Sequence, residues 1–271
     1  MTSSLFRLAP VALALAILLP STAQAHKMWM VPSATVVSGD APWVGVDAAV
    51  SNSLYYADHV AMRLDGITIT APDGSQAALQ NPHMGKYRSV FDLALTQTGT
   101  YRISNASTGL IANWKENGES RRWRGTPETF ATEVPKNAED LRVTQASNRV
   151  ETFVTNGAPD TGALQTTGSG LELVAITHPN DLFAGEAASF RLLIDGEPAA
   201  DTQVSLIRGE SRYRDNPEEI TTKTDAEGRF SVTWPVAGMY WLNASVQDDK
   251  TTAPATSRRA SYVATLEVLP Q

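Results

Sequence analysis

Four histidines and no cysteine make up the imidazole and thiolate metal-binding inventory of this chain: His26, His59, His83 and His178. Without thiols, disulfides, thiolate metal sites and cysteine nucleophiles are all excluded. His26 has the most chemistry open to it. It follows Ala23-Gln24-Ala25, a small-x-small pattern that reads as a signal-peptidase site. Cleavage after Ala25 would leave His26 with a free α-amine, so one residue could offer an amine and a ring nitrogen to the same ion. In a strand beginning there, Met28 and Met30 share a face with His26, while Trp29 and Val31 take the other. Imidazole beside thioethers suits copper, and imidazole with an amine also suits nickel. The two methionines have a second reading, as fillers of a hydrophobic core. His59 follows Asp58, and His83 sits in an expected Asn81-Pro82-His83-Met84-Gly85 turn. Both fall in the same expected domain as His26, so His26, His59 and His83 form the expected metal centre. His178-Pro179 reads as the end of a strand in a second domain. No HxH, HxxxH or HExxH spacing occurs, which excludes a zincin-like helix.

The elements that must position these residues are strands. Ahead of them, Arg7, the apolar run from Leu8 to Leu19, Pro20 and Ala25 have the layout of a cleavable secretory signal over residues 1–25. The run is too short for a bilayer-spanning helix, which needs about 20 apolar residues. No later segment is apolar enough to span, so the mature chain is expected to be exported, soluble and periplasmic. Cleavage would leave 246 of the 271 residues, and removal of Arg7 would take the formal net charge from −7 to −8. That acidity argues against nucleic-acid binding and favours cations near the surface.

From Lys27 the texture is that of short strands punctuated by Gly, Pro, Asn and Asp. Val44, Val46, Ala48 and Val50 alternate with more polar neighbours, as in a half-buried strand. Ile67 to Thr70 is another strand, closed by a Pro72-Asp73-Gly74 turn, and Tyr87, Ser89, Phe91, Leu93 and Leu95 share one face of a third. Trp114, Lys115, Arg121, Arg122, Trp123 and Arg124 flank Asn117-Gly118, a pair suited to a tight hairpin turn. Thr126-Pro127 opens one short helix running to about Asp140. Strand texture returns from Leu141 to Thr155. Gly157 to Gly170 is rich in small and polar residues and reads as an interdomain linker. Beyond it, alternations through Phe190, Leu192 and Ile194, then Tyr240 to Val246, then Tyr262 to Val268 supply a second set of strands. The charged stretch from Gln247 to Arg259 reads as a surface loop. The expectation is an all-β chain of two β-sandwich domains, immunoglobulin-like or prealbumin-like, over 26–156 and 171–271, joined by a linker at 157–170.

Ala25-His26 followed by Trp29 and Pro32 resembles the start of a periplasmic family of unknown function. So does the run Gly196 to Val204 with Thr224-Asp225-Ala-Glu-Gly228-Arg-Phe230 and Gly238-Met-Tyr240, which resembles that family's C-terminal half. The family has been linked with nickel and cobalt uptake systems as their periplasmic component. The resemblance implies a β-sandwich protein near metal import, and it brings no catalytic residues with it.

Three functions follow as expectations. The first is an exported, non-enzymatic protein that binds nickel, cobalt or copper and assists its uptake or handling. The second is an interaction module that docks its Trp114–Arg124 patch on an inner-membrane transporter or outer-membrane receptor. The third is a copper oxidase built on an N-terminal histidine brace, set behind the others because no Gly-x-Ser-x-Gly elbow, P-loop, dinucleotide fingerprint or paired carboxylates accompany it.

Overall fold

Alternation of apolar and polar residues builds three stacked sheets rather than two separate pairs. The computed structural model describes residues 26–271, and the expected signal peptide, 1–25, lies outside the described residues. The first half opens with β1 (Lys27–Pro32), β2 (Val36–Val37), β3 (Trp43–Ser51) and β4 (Val60–Ala61). It continues with β5 (Ile67–Thr70), β6 (Gln76–Ala77), β7 (Gln80–Met84) and β8 (Ser89–Ala94). Two long strands, β9 (Gly99–Glu116) and β11 (Glu139–Asn156), then frame β10 (Glu119–Gly125) and α1 (Pro127–Glu133), the single α-helix among the described residues. The second half holds β12 (Leu171–Ala175), β13 (Ala187–Ile194), β14 (Glu197–Pro198) and β15 (Gln203–Arg208). It ends with β16 (Ile220–Lys223), β17 (Arg229–Thr233), β18 (Gly238–Asp248) and β19 (Ser257–Val268).

The first outer sheet runs β1-β3-β8-β7, with β4 also against β3. The central sheet runs β16-β15-β18-β19-β11-β9-β5-β6, with β10 on β9 and β2 on β11. The second outer sheet is β12-β13-β14, with β17 on β13. The central sheet crosses from one half of the chain to the other where β11 and β19 pair in parallel, from Thr144↔Ser257 to Thr152↔Thr265. The two sandwiches therefore share their middle layer.

Side-chain parity shows how one sheet serves two cores. On β18, Tyr240 and Leu242 enter the core under the second outer sheet, with Phe190, Phe230 and Trp234. Trp241 between them points the other way, into the core under the first outer sheet with Trp29, Met30, Phe91 and Tyr101. Leu206 and Ile207 on β15, and Tyr262 and Val263 on β19, split in the same manner. Strands buried on both faces read as near-continuous apolar runs, which is why Met239-Tyr-Trp-Leu242 shows no polar alternation.

Two local expectations need correction. The helix ends at Glu133 instead of running to Asp140, because Val134 precedes Pro135 and is pushed to an extended backbone, φ −99° and ψ 127°. Its start is as expected: Thr126 caps the helix and Pro127 occupies the first turn. The segment 157–170, expected as a linker, is held by hydrogen bonds. The Asp160 carboxylate accepts from the Thr100 amide at 3.1 Å, and buried Glu172 accepts from the amides of Thr167 and Gly168, each at 2.8 Å. The expected surface loop at Gln247–Arg259 is shorter than its charge pattern implies: 249–256 is loop, and its two ends belong to β18 and β19. Arg258 is buried in an ion pair with Asp248 at 2.6 Å and a second with Asp195.

Candidate metal centre

Strand β3 is the support. On one edge it pairs antiparallel with β1, Lys27 opposite Ser51, so His26 stands one step beyond that ladder, beside Asn52. On its other edge β3 pairs with β4, Val60 opposite Val50, so His59 stands one step beyond that ladder, beside Ser51. The two histidines thus flank the same strand end from opposite sides. Both are exposed, and their rings stack with centroids 3.9 Å apart and planes 5° from parallel.

The loop that delivers His59 is held by its neighbours. The Asp58 carboxylate accepts from the backbone amides of Asn52 at 2.7 Å and Ser53 at 3.1 Å. Desolvation alone would raise the Asp58 carboxyl, but the hydrogen bonds from Asn52 and Ser53 together outweigh it. The net result is a pKa below the ordinary 3.8, so the carboxylate stays ionised. Ser51 Oγ donates to the Ser53 carbonyl at 2.7 Å and accepts from Trp29 Nε1 at 2.8 Å. Tyr55 packs its ring edge-on to Trp29, centroids 5.7 Å apart, and takes a left-handed backbone with φ 60°. Trp29 therefore ties the strand that follows His26 to the loop that ends at His59.

The other sequence-level candidates go elsewhere. Met30 is wholly buried and Met28 packs half-buried against the same core, so both serve as core residues. His83 lies on strand β7 and not in a turn. Pro82 has no N–H to give, and such a residue is tolerated on an edge strand, here with a register irregularity between Gln80 and His83. His83 pairs with Val90, Val90 with Asp47 and Asp47 with Val31. That puts His83 three strands over from β1, roughly 14 Å, and about five residues along from His26, roughly 17 Å. It does not join the pair. His178 serves the junction between the halves: its Nε2 lies 2.9 Å from the Asp160 carbonyl and 3.1 Å from Thr100 Oγ1. Its Nδ1 accepts from the Asn180 amide at 3.1 Å. Burial lowers its pKa below the ordinary 6.5. Among the described residues no group of three or more His, Asp or Glu side chains lies within reach of a common ion.

One contact that the sequence did not signal supports the centre from behind. Trp241 Nε1 donates to the Met28 carbonyl at 2.9 Å, fixing β1 to the central sheet. A tryptophan inside an unbroken apolar run was the available sign that β18 is buried on both faces.

Chemically, the centre offers two imidazoles now and a third nitrogen if His26 carries a free amine. Ring-nitrogen lone pairs lie in the ring plane, so two parallel rings aim theirs along parallel lines. One or both rings must tilt before two nitrogens can meet one ion at about 2.0–2.1 Å.

No curated protein matches the chain at a significant level. The chain aligns with the D0-D1 domain of Intimin at 12% identity, covering 89% of this chain and 97% of that one, with a TM-score of 0.22. It aligns with the human OSCAR ligand-binding domain at 14% identity, covering 90% and 100%, with a TM-score of 0.20. The domain of unknown function DUF4198 matches residues 23–248, most of the chain, and the protein belongs to that family.

Proposed function

We propose that the chain is exported to the periplasm, is cleaved between Ala25 and His26, and then binds a late first-row transition ion for uptake or handling. Copper, nickel and cobalt are the ions suited to its donors. Amine and imidazole nitrogens are borderline ligands, and affinity for such a set rises from cobalt through nickel to copper. The observation that carries this reading is the stacked His26–His59 pair, 3.9 Å between centroids, on a strand end whose flanking loop is fixed by Asp58 and Ser51. Only His26 and His59 belong to this reading of the centre, and His83 is left out of it. A three-nitrogen set leaves positions open for water or for a ligand from a receiving protein, which suits transfer better than permanent storage.

Calorimetric titration of the chain beginning at His26 with copper(II), nickel(II) and cobalt(II) tests the reading. Binding is expected at one ion per chain. His26→Ala and His59→Ala should each weaken it at least tenfold, as should a form with Ala25 retained, whose His26 nitrogen is an amide. His83→Ala should leave it unchanged. Absence of binding by the correctly processed chain, or binding indifferent to both His26→Ala and His59→Ala, would sink the proposal.

A further inference from the structure

Beyond the sandwich, the outer parts of β9, β10 and β11 form a projecting arm. One of its faces is covered. Leu110, Ala112, Val134, Val143 and Ala255 make a small core there, with Trp114, Trp123 and Phe130 packed on it beneath α1. Cross-strand partners share a face, so the register identifies what lies on the other side. Arg122 pairs with Asn113 and Asn113 with Arg142, while Arg124 pairs with Ile111 in the next same-face row. Arg122, Arg124 and Arg142 therefore stand together on the uncovered face, and all three are exposed. The neighbouring cations are already matched, Arg121 with Glu116 and Glu119, and Lys115 with Asp140. Among the described residues no carboxylate forms an ion pair with Arg122, Arg124 or Arg142. A patch of three unmatched guanidiniums stands out on a chain whose net charge is −7.

The arm also has an open edge. β10 spans seven residues and pairs only with β9 among the described residues, so its outward N–H and C=O groups have no strand partner. We propose that this edge accepts an extended acidic segment of a partner protein as one further strand, with carboxylates at alternate positions opposite Arg122 and Arg124. The spacing follows from strand geometry. Arg122 and Arg124 are two residues apart on one face, and an added strand places its own i and i+2 side chains directly opposite, at about 4.5–5.5 Å between Cβ atoms. Main-chain hydrogen bonds would supply affinity, and Arg–carboxylate pairs would supply register and choice of partner. A second copy of this chain is a poor occupant. Two β10 edges related by a two-fold axis near Arg122 or Trp123 would set arginine against arginine. Charged side chains on an edge strand also serve to repel unwanted pairing, and the experiment below separates repulsion from recognition.

The probe is a blocked seven-residue peptide alternating Glu with Val, compared with a peptide of the same composition whose Glu residues are contiguous. Binding to the full chain is followed by fluorescence anisotropy at low salt. The alternating peptide is expected to bind at least tenfold tighter than the contiguous one, and to weaken as salt is raised. Arg122→Glu with Arg124→Glu should abolish binding and confer binding of an alternating Lys-Val peptide, which a merely unfolded variant would not do. Arg121→Glu, on the opposite face, should leave the preference intact. Equal binding of the two acidic peptides, no binding of either, or capture by anionic lipid vesicles in place of peptide would each overturn the proposal.

Discussion

Replacing Trp241 by Phe keeps an aromatic ring between the central and first outer sheets but removes the indole N–H that reaches the Met28 carbonyl at 2.9 Å. Trp241 is only 8% exposed, so water does not readily replace the lost donor. Leaving a buried acceptor without its partner costs about 1–3 kcal/mol. The smaller ring adds about 1 kcal/mol in lost burial and cavity. The sum, about 2–4 kcal/mol, should lower Tm by roughly 5–15 °C at about 2–4 °C per kcal/mol for a chain of this size. Scanning calorimetry measures the shift, and amide exchange locates it. β1 and β3 should lose protection, because the missing bond is the one tying β1 to the sheet behind it. Affinity for the ion that titrates the His26-initiated chain should fall severalfold, since the start of β1 would no longer be fixed. A Tm within about 2 °C of the parent, with unchanged exchange in β1, would refute the idea that the second half of the chain holds the strand that follows His26.

Stability should depend on pH through His178. Its Nδ1 accepts from Asn180, and Nε2–H faces the Asp160 carbonyl and Thr100 Oγ1, so the folded state favours the neutral ring. Burial depresses its pKa below 6.5, opposed in part by the charges of Asp181 and Asp160. Well above 6.5 both folded and unfolded rings are neutral and this group adds no pH dependence. As pH falls from there towards the folded-state pKa, the unfolded chain takes up a proton that the folded chain refuses, so stability drops. Urea midpoints between pH 8 and 5.5 should decline more steeply for the parent than for His178→Gln, and parallel curves would count against the assignment. In the segment 157–170, a methyl added at Gly162 would run into the Pro72 carbonyl, whereas one at Gly168 meets no atom within 4 Å and strains only its backbone, φ 71°. Gly162→Ala should therefore cost about 2–3 kcal/mol and Gly168→Ala about 1. Equal Tm values for the two variants would show that the segment is not held against β5's turn.

Alternation told the truth wherever one face meets a core and the other does not. Val44, Val46 and Ala48 are buried as their spacing implied, and so are Ser89, Phe91 and Leu93. Asn117-Gly118 makes its hairpin with positive φ at both residues, 53° and 81°. What the sequence concealed depends on residues far apart in it. The parallel β11–β19 ladder joins positions 113 residues apart, and neither strand carries a local sign of the other. Buried Glu151 and Tyr262 and half-buried Arg149 span the same ladder, with Tyr262 donating to Glu151 at 2.8 Å and Arg149 3.4 Å from it. Read singly, those residues look like ordinary strand polar positions. His26 and His59 were expected to meet, but the means was hidden, since it requires β3 to be paired on both edges at its last residues. His83 misled for a local reason: Pro82 carries the composition of a turn, yet an edge strand tolerates it, and the turn itself begins only at Gly85.

For an ion held as proposed, the arrangement fixes where the donors stand without fixing how they point. Pairing on both edges of β3 sets the backbone positions of His26 and His59 in advance, as does the hydrogen bonding of Asp58 and Ser51, so little chain entropy remains to be lost on binding. Ring orientation is different. The stacked pair must be pulled out of its parallel packing, which sets part of the ligand field's gain against the stacking it disrupts. Binding of moderate strength follows, with an incomplete coordination sphere on the exposed side. An ion in such a site leaves fastest when a receiving protein adds a ligand at the open position before the histidines let go. Its release rate should then rise with the concentration of a competing imidazole donor, whereas an ion leaving by unassisted dissociation would show no such dependence.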